Sequence, residues 1–122
     1  MANILIVEDN ESLRLAYSSF LSQEGHAITV AQNVPEALTY LETHKPDLIL
    51  LDMLMPKMNG LELLQKYDVK NEHKDVKVLA FSNLTELRIE QQALSLGVSL
   101  YLTKSLTTPA DLVEKIRGLL AL

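Results

Sequence analysis

Five polar residues stand at the ends of short apolar runs. Glu8 and Asp9 follow "ILIV", Asp52 follows "DLILL", Ser82 follows "VKVLAF", and Lys104 lies two residues past "VSLYL". An ionised group gains nothing inside an apolar strand, so each of these residues marks an exit from one. Brought together, the three carboxylates need compensation, since two unit charges about 4 Å apart repel by roughly 4 kcal/mol at an effective dielectric near 20. A hard divalent cation with oxygen ligands and retained waters, such as Mg²⁺, would remove the conflict and keep positions open for a phosphoryl oxygen. Lys104 adds a second positive charge and Ser82 a hydroxyl donor. That set suits phosphoryl transfer, where catalysis is mostly positioning and charge neutralisation. Asp52, alone at a strand end, is the carboxylate best placed as nucleophile.

These residues need a scaffold that gathers strand ends. Strand-length apolar runs recur at 4–7, 27–31, 47–51, 76–81 and 98–102. They are continuous rather than alternating, which predicts strands covered on both faces. Helical patterns lie between them. Leu13, Ala16, Tyr17, Phe20 and Leu21 form one apolar stripe, and Leu112, Val113, Ile116, Leu119 and Leu120 form another in the last helix. Gly25 and Gly97 fall where a helix should stop before a strand. "TPAD" at 108–111 reads as Thr108 N-cap, Pro109 in the first turn and Asp111 at N3, and "NVPEA" at 33–37 is a weaker version. Five strands alternating with five helices make an α/β domain with a parallel sheet and right-handed crossovers. In such a sheet ligands bind outside the carboxyl ends of the strands. Taken singly, Asp9, Asn10 or Glu11 could cap the first helix, Ser82 could be a turn residue and Lys104 a solvated surface lysine. Their coincidence at one end of one sheet is what carries the functional reading.

The bulk composition fits. The chain has 122 residues, long enough for one domain with a real core, and at 48% apolar content it is globular rather than disordered. It has no cysteine, which removes disulfides, thiolate nucleophiles and cysteine metal sites. No apolar stretch reaches the roughly 18 residues of a membrane helix and no signal-peptide pattern opens the chain, so a cytoplasmic protein with no membrane contact is expected. The formal charge is −5, and eleven scattered Lys and Arg form no basic stripe, so no direct nucleic-acid binding is expected.

Four separated motifs together resemble the receiver domain of two-component response regulators, chemotaxis-type receivers included. They are Glu8–Asp9 in "ILIVEDN", "DMLMPKMNG" at 52–60, "LAFSN" at 79–83 and "YLTKS" at 101–105. The likeness covers the whole chain and implies a single receiver domain over 1–122. It further implies a flavodoxin-like fold with strand order 2-1-3-4-5 and helices on both faces. By the same resemblance Asp52 is the phosphoacceptor, supplied by a sensor histidine kinase or phosphotransfer protein. Glu8, Asp9 and Asp52 hold Mg²⁺ with the backbone carbonyl of Leu54. Ser82 turns its hydroxyl onto the phosphoryl group, Lys104 pairs with it, and Tyr101 moves inward with Ser82. Pro56 and Gly60 shape the loop that presents Asp52. The resemblance also implies a phosphorylation-activated switch rather than an enzyme acting on a separate substrate, although it takes part in its own phosphorylation and dephosphorylation. A downstream protein would read the fourth helix, fifth strand and fifth helix.

The sequence departs from the family's pattern in places. Ser105 stands where the family usually has a proline after its lysine in a cis peptide. A cis bond before a non-proline residue costs roughly 3 kcal/mol, so a trans Lys104–Ser105 bond is expected. Asn83 replaces a commonly small residue after the switch hydroxyl; it would narrow access to Asp52 or contact the phosphoryl group. Leu54 and Leu84, at positions that tune water access, are apolar and are expected to shield an acylphosphate. In the fourth helix Leu87 and Leu94 share one face while Ile89, Ala93 and Leu96 lie nearly opposite, so one stripe is expected to be exposed. Met53, Met55 and Met58 are expected to be loop and packing residues.

Three rivals share some of these features. A haloacid dehalogenase-type phosphatase also uses an Asp after a strand, but it needs a second Asp two residues on, where this chain has Leu54. A flavodoxin-like flavin binder needs a Ser/Thr/Gly-rich phosphate loop where this chain has "EDNES". A pseudo-receiver acting as a phosphorylation-independent interaction module is opposed by the intact Asp52 and Lys104, while Ser105 and Asn83 leave it open. Mg²⁺-dependent fluoroberyllate binding separates it from the leading view.

Overall fold

The computed structural model describes residues 2–55, 58–83 and 86–121. Five strands, β1 (Asn3–Val7), β2 (Ala27–Ala31), β3 (Leu48–Leu51), β4 (Lys77–Ser82) and β5 (Leu100–Thr103), alternate with five helices. The helices are α1 (Glu11–Gln23), α2 (Val34–Leu41), α3 (Gly60–Lys66), α4 (Leu87–Ser95) and α5 (Pro109–Leu120). The sheet order is β2-β1-β3-β4-β5 and every pairing is parallel. All strands therefore point their carboxyl ends at one rim, and the order reverses between β1 and β3, where α/β sheets open a crevice.

Alternating residues of the central strands feed two cores. Leu5, Val7, Ile49, Leu51, Val78 and Ala80 face α2, α3 and α4, meeting Val34, Ala37, Leu63, Leu64 and Ala93. Ile4, Ile6, Leu48, Leu50, Leu79 and Phe81 face α1 and α5, meeting Tyr17, Leu21, Leu112 and Ile116. Full cover on both faces holds for β1, β3 and β4 apart from the first residue of β1 and of β4. The edge strands differ from the sequence expectation: β5 is half-buried throughout, and β2 buries only Ala31 and exposes Val30. A strand with a neighbour on one side has less helix packed over it.

The punctuation follows the expected chemistry. Asn10, Asn33 and Thr108 each accept a backbone N–H at the start of α1, α2 and α5. Thr108 and Asp111 form a reciprocal capping box. Gly25 and Gly97 have φ of +91° and +103°, the left-handed region that glycine enters at least cost. In α4 the apolar stripe of Leu87 and Leu94 is exposed, while Ala93 is buried and Ile89 and Leu96 are half-buried. Among the described residues no helix is long and apolar enough to cross a membrane.

Candidate functional site

The sheet hydrogen bonds continue one residue past β1 and β3, and this fixes the site. The Glu8 N–H donates to the Ala31 carbonyl at 3.1 Å and the Asp52 N–H to the Val7 carbonyl at 3.0 Å. Both side chains are thereby placed at the rim by backbone tied into the sheet. In β4 and β5, Ser82 lies opposite Thr103, and Lys104 follows directly. The five residues singled out in the sequence stand at this one rim.

Carboxylate oxygens of Glu8, Asp9 and Asp52 lie within 4.8 Å of one another. Glu8 and Asp52 are buried and Asp9 is exposed. The Lys104 ammonium reaches across, with Nζ 2.5 Å from Glu8 Oε1 and 3.2 Å from Asp52 Oδ2. The remaining oxygens are also used. Glu8 Oε2 accepts from the Asn10 N–H at 3.2 Å, and Asp52 Oδ1 accepts from the Leu54 N–H at 3.1 Å. Burial pushes the Glu8 carboxyl above its ordinary range against the Lys104 hydrogen bond, and Asp52's charge adds to the rise. Burial alone would pull the Lys104 ammonium down, but the hydrogen bond to Glu8 and the charge of Asp52 outweigh it and hold it raised.

One ammonium faces three carboxyl groups. The donor set is all oxygen, compact, and open to solvent on the Asp9 side, which fits a hard divalent cation that keeps some of its waters. The Leu54 backbone, expected as a fourth contributor, is at the site through its N–H. Its side chain is exposed. Pro56 and Leu84 lie outside the described residues.

Other expected residues take distinct places. Ser82 is fully buried at the end of β4. Tyr101, opposite Ala80, is half-buried against the α2–α3–α4 core, and burial, then the charges of Glu90 and Asp52, raise its phenol above the ordinary value. Among the described residues no peptide bond is cis, so Lys104–Ser105 is trans as expected. Asn83 is exposed, and its Oδ1 accepts from the Ser105 N–H at 3.0 Å. Met53 and Met55 are buried in the core and Met58 packs against it. Gly60 is needed for space: a Cβ there would meet Met53 Sδ at 2.6 Å and the Asp52 carbonyl at 3.0 Å. The start of α3 is therefore pressed against the segment that presents Asp52.

Sequence reasoning missed Arg14. Its guanidinium donates to the carbonyls of Glu8 and Asp9 at 3.1 and 3.2 Å, steadying the acidic pair from α1. A polar residue one turn into an amphipathic helix carries no signal of its own, so the signal was absent rather than overlooked.

A family model, the response regulator receiver domain, matches residues 4–117. The chain belongs to the response regulator receiver family. This receiver is 33% identical over 116 residues to the response regulator protein VraR of Staphylococcus aureus; the match takes in 93% of the chain and 54% of VraR. The chain therefore spans about half of that relative's length. Among solved structures it resembles a CheY-like receiver domain protein from Methanospirillum hungatei, with a TM-score of 0.91 at 30% identity, covering 99% and 94% of the two chains. It also resembles the response regulator protein TrrA of Thermotoga maritima, solved in complex with Mg²⁺-BeF, with a TM-score of 0.84 at 29% identity over 98% and 99% of the chains. The receiver is thus a member of a signalling family with the flavodoxin-like sheet order.

Proposed function

We propose that this receiver is a phosphorylation-activated switch whose acceptor is Asp52, charged by a sensor histidine kinase or phosphotransfer protein. The observation that carries this reading is the meeting of Glu8, Asp9 and Asp52 within 4.8 Å beside the Lys104 ammonium. An Asp52 carboxylate oxygen bonds to phosphorus as the phosphorus–nitrogen bond to the donor imidazole breaks. The imidazole leaves with the electron pair and takes up a proton. Glu8, Asp9, Asp52 and the Leu54 carbonyl would hold Mg²⁺, which when bound neutralises charge between the acids and the phosphoryl oxygens. The likeness to TrrA in its Mg²⁺-BeF complex supports that metal. Lys104, now on Glu8 and Asp52, is within reach to share its charge with a phosphoryl group on Asp52. The Ser82 hydroxyl donates to that group, and Tyr101, two residues before Thr103 on β5, follows the change in β4.

Phosphorylation shifts the population only by the difference in contacts between two arrangements, about tenfold for each 1.4 kcal/mol. The exposed Leu87 and Leu94 on α4 support a read-out surface of α4, β5 and α5 for a downstream protein. The unit that switches is the domain over 1–122, in the cytoplasm. The test is Asp52→Asn treated with a phosphohistidine donor, Mg²⁺ and labelled phosphate. Wild type takes up one label per chain and the variant takes up none; label retained on the variant would refute the assignment.

A further inference from the structure

Asn83 directly follows Ser82 at the end of β4, and Ser105 directly follows Lys104, whose ammonium lies 3.2 Å from Asp52. Strand pairing ties these segments together as far as Ser82 and Thr103. Past that point β5 runs into a short 3-10 turn over Lys104–Leu106. The turn is held internally, by the Thr107 hydroxyl donating to the Thr103 carbonyl at 2.8 Å and the Thr107 N–H to the Lys104 carbonyl at 3.3 Å. Such local bonds set the shape of the turn but not its place relative to β4. The Asn83 Oδ1, accepting the Ser105 N–H at 3.0 Å across 22 positions, does fix that place. The bond needs a side-chain acceptor at 83 and any residue but proline at 105: proline would have no N–H to give, and alanine or glycine at 83 would have no side-chain oxygen to receive it.

We infer that Asn83 is a positioning residue: its side-chain oxygen latches the backbone after Lys104 to the end of β4 and so keeps the Lys104 ammonium between Glu8 and Asp52. The two departures from the family pattern thus act as one device, which replaces a rigid proline with a hydrogen bond. The latch itself is independent of phosphoryl chemistry; its consequence for binding rests on Asp52 being the acceptor.

The experiment reads Lys104 directly. The full chain is treated briefly with acetic anhydride and the rate at Lys104 is followed by peptide mass spectrometry, in wild type, Asn83→Ala and Ser105→Ala. Fluoroberyllate binding with Mg²⁺ is measured on the same proteins. Asn83→Ala is expected to speed Lys104 acetylation roughly three- to tenfold, the size of one neutral hydrogen bond, and to weaken fluoroberyllate binding by a similar factor. Ser105→Ala keeps the N–H and is expected to leave Lys104 as protected as in wild type. Unchanged acetylation in Asn83→Ala, or equal acceleration in Ser105→Ala, would overturn the latch. If wild type failed to bind fluoroberyllate while Asn83→Ala still unmasked Lys104, the latch would stand and the phosphoryl reading would fall.

Discussion

Opposite ends of this sheet each carry a lysine–carboxylate pair at the same distance and in different surroundings. At the amino ends of β3 and β4, Lys45 Nζ lies 2.5 Å from Asp75 Oδ2, with side chains 54% and 68% exposed. At the carboxyl rim, Lys104 Nζ lies 2.5 Å from Glu8 Oε1, with side chains 12% and 3% exposed. The Lys45 hydrogen bond lowers the Asp75 carboxyl, whereas burial raises Glu8 in spite of Lys104. Distance alone would rank the pairs as equals. Burial separates them, because an exposed pair is screened by water and salt while a buried charge that loses its partner has no substitute. The rim also keeps a second buried acid on the same ammonium, with Asp52 Oδ2 3.2 Å from Lys104 Nζ.

Four substitutions would break or sharpen this contrast. Lys104→Met leaves Glu8 and Asp52 facing each other without an ammonium, and in EDTA should cost about 3 kcal/mol by urea denaturation. Saturating Mg²⁺ should return much of that loss, since a ligand at 100 times its Kd adds about 2.7 kcal/mol. Stability equal to wild type in EDTA would contradict the contrast. Gly60→Ala forces Met53 and the Asp52 carbonyl aside and should cost roughly 2 kcal/mol, with weaker Mg²⁺ binding as the local sign. Leu54→Asn places a polar group beside the Asp52 mouth and should speed loss of the acylphosphate about threefold, a barrier change under ~1 kcal/mol; an unchanged decay rate would remove Leu54 as a shield. Lys45→Ala should shift the urea midpoint least, and any shift should vanish in high salt. A loss comparable to that of Lys104→Met would show that burial is not the deciding variable.

The scaffold was legible because its signals are local. Continuous apolar runs announced strands at 4–7 and 27–31, and cap residues such as Thr108, Pro109 and Asp111 act within one turn of themselves. The acids and Lys104 were legible for a related reason, since a charge just past an apolar run can lie only at the exit of its strand. Contacts made by side chains across the fold were not. Arg14 grips the carbonyls of Glu8 and Asp9 because α1 happens to turn it that way, and Asn83 meets Ser105 across 22 positions. Each stood out, if at all, as an isolated oddity, and the pairing depends on how two loops lie after the sheet has formed. The edge strands were over-read for a similar reason: an apolar run does not say how many neighbours its strand will have.

The most direct measurement is a calorimetric titration of the wild-type chain with fluoroberyllate, with and without Mg²⁺, repeated on Asp9→Asn and Asp52→Asn. If the three acids form one pocket beside a phosphorylatable side chain, one equivalent binds in Mg²⁺, none binds in EDTA, and either substitution weakens or removes the binding. Binding that ignores Mg²⁺, or survives Asp52→Asn intact, would contradict that account.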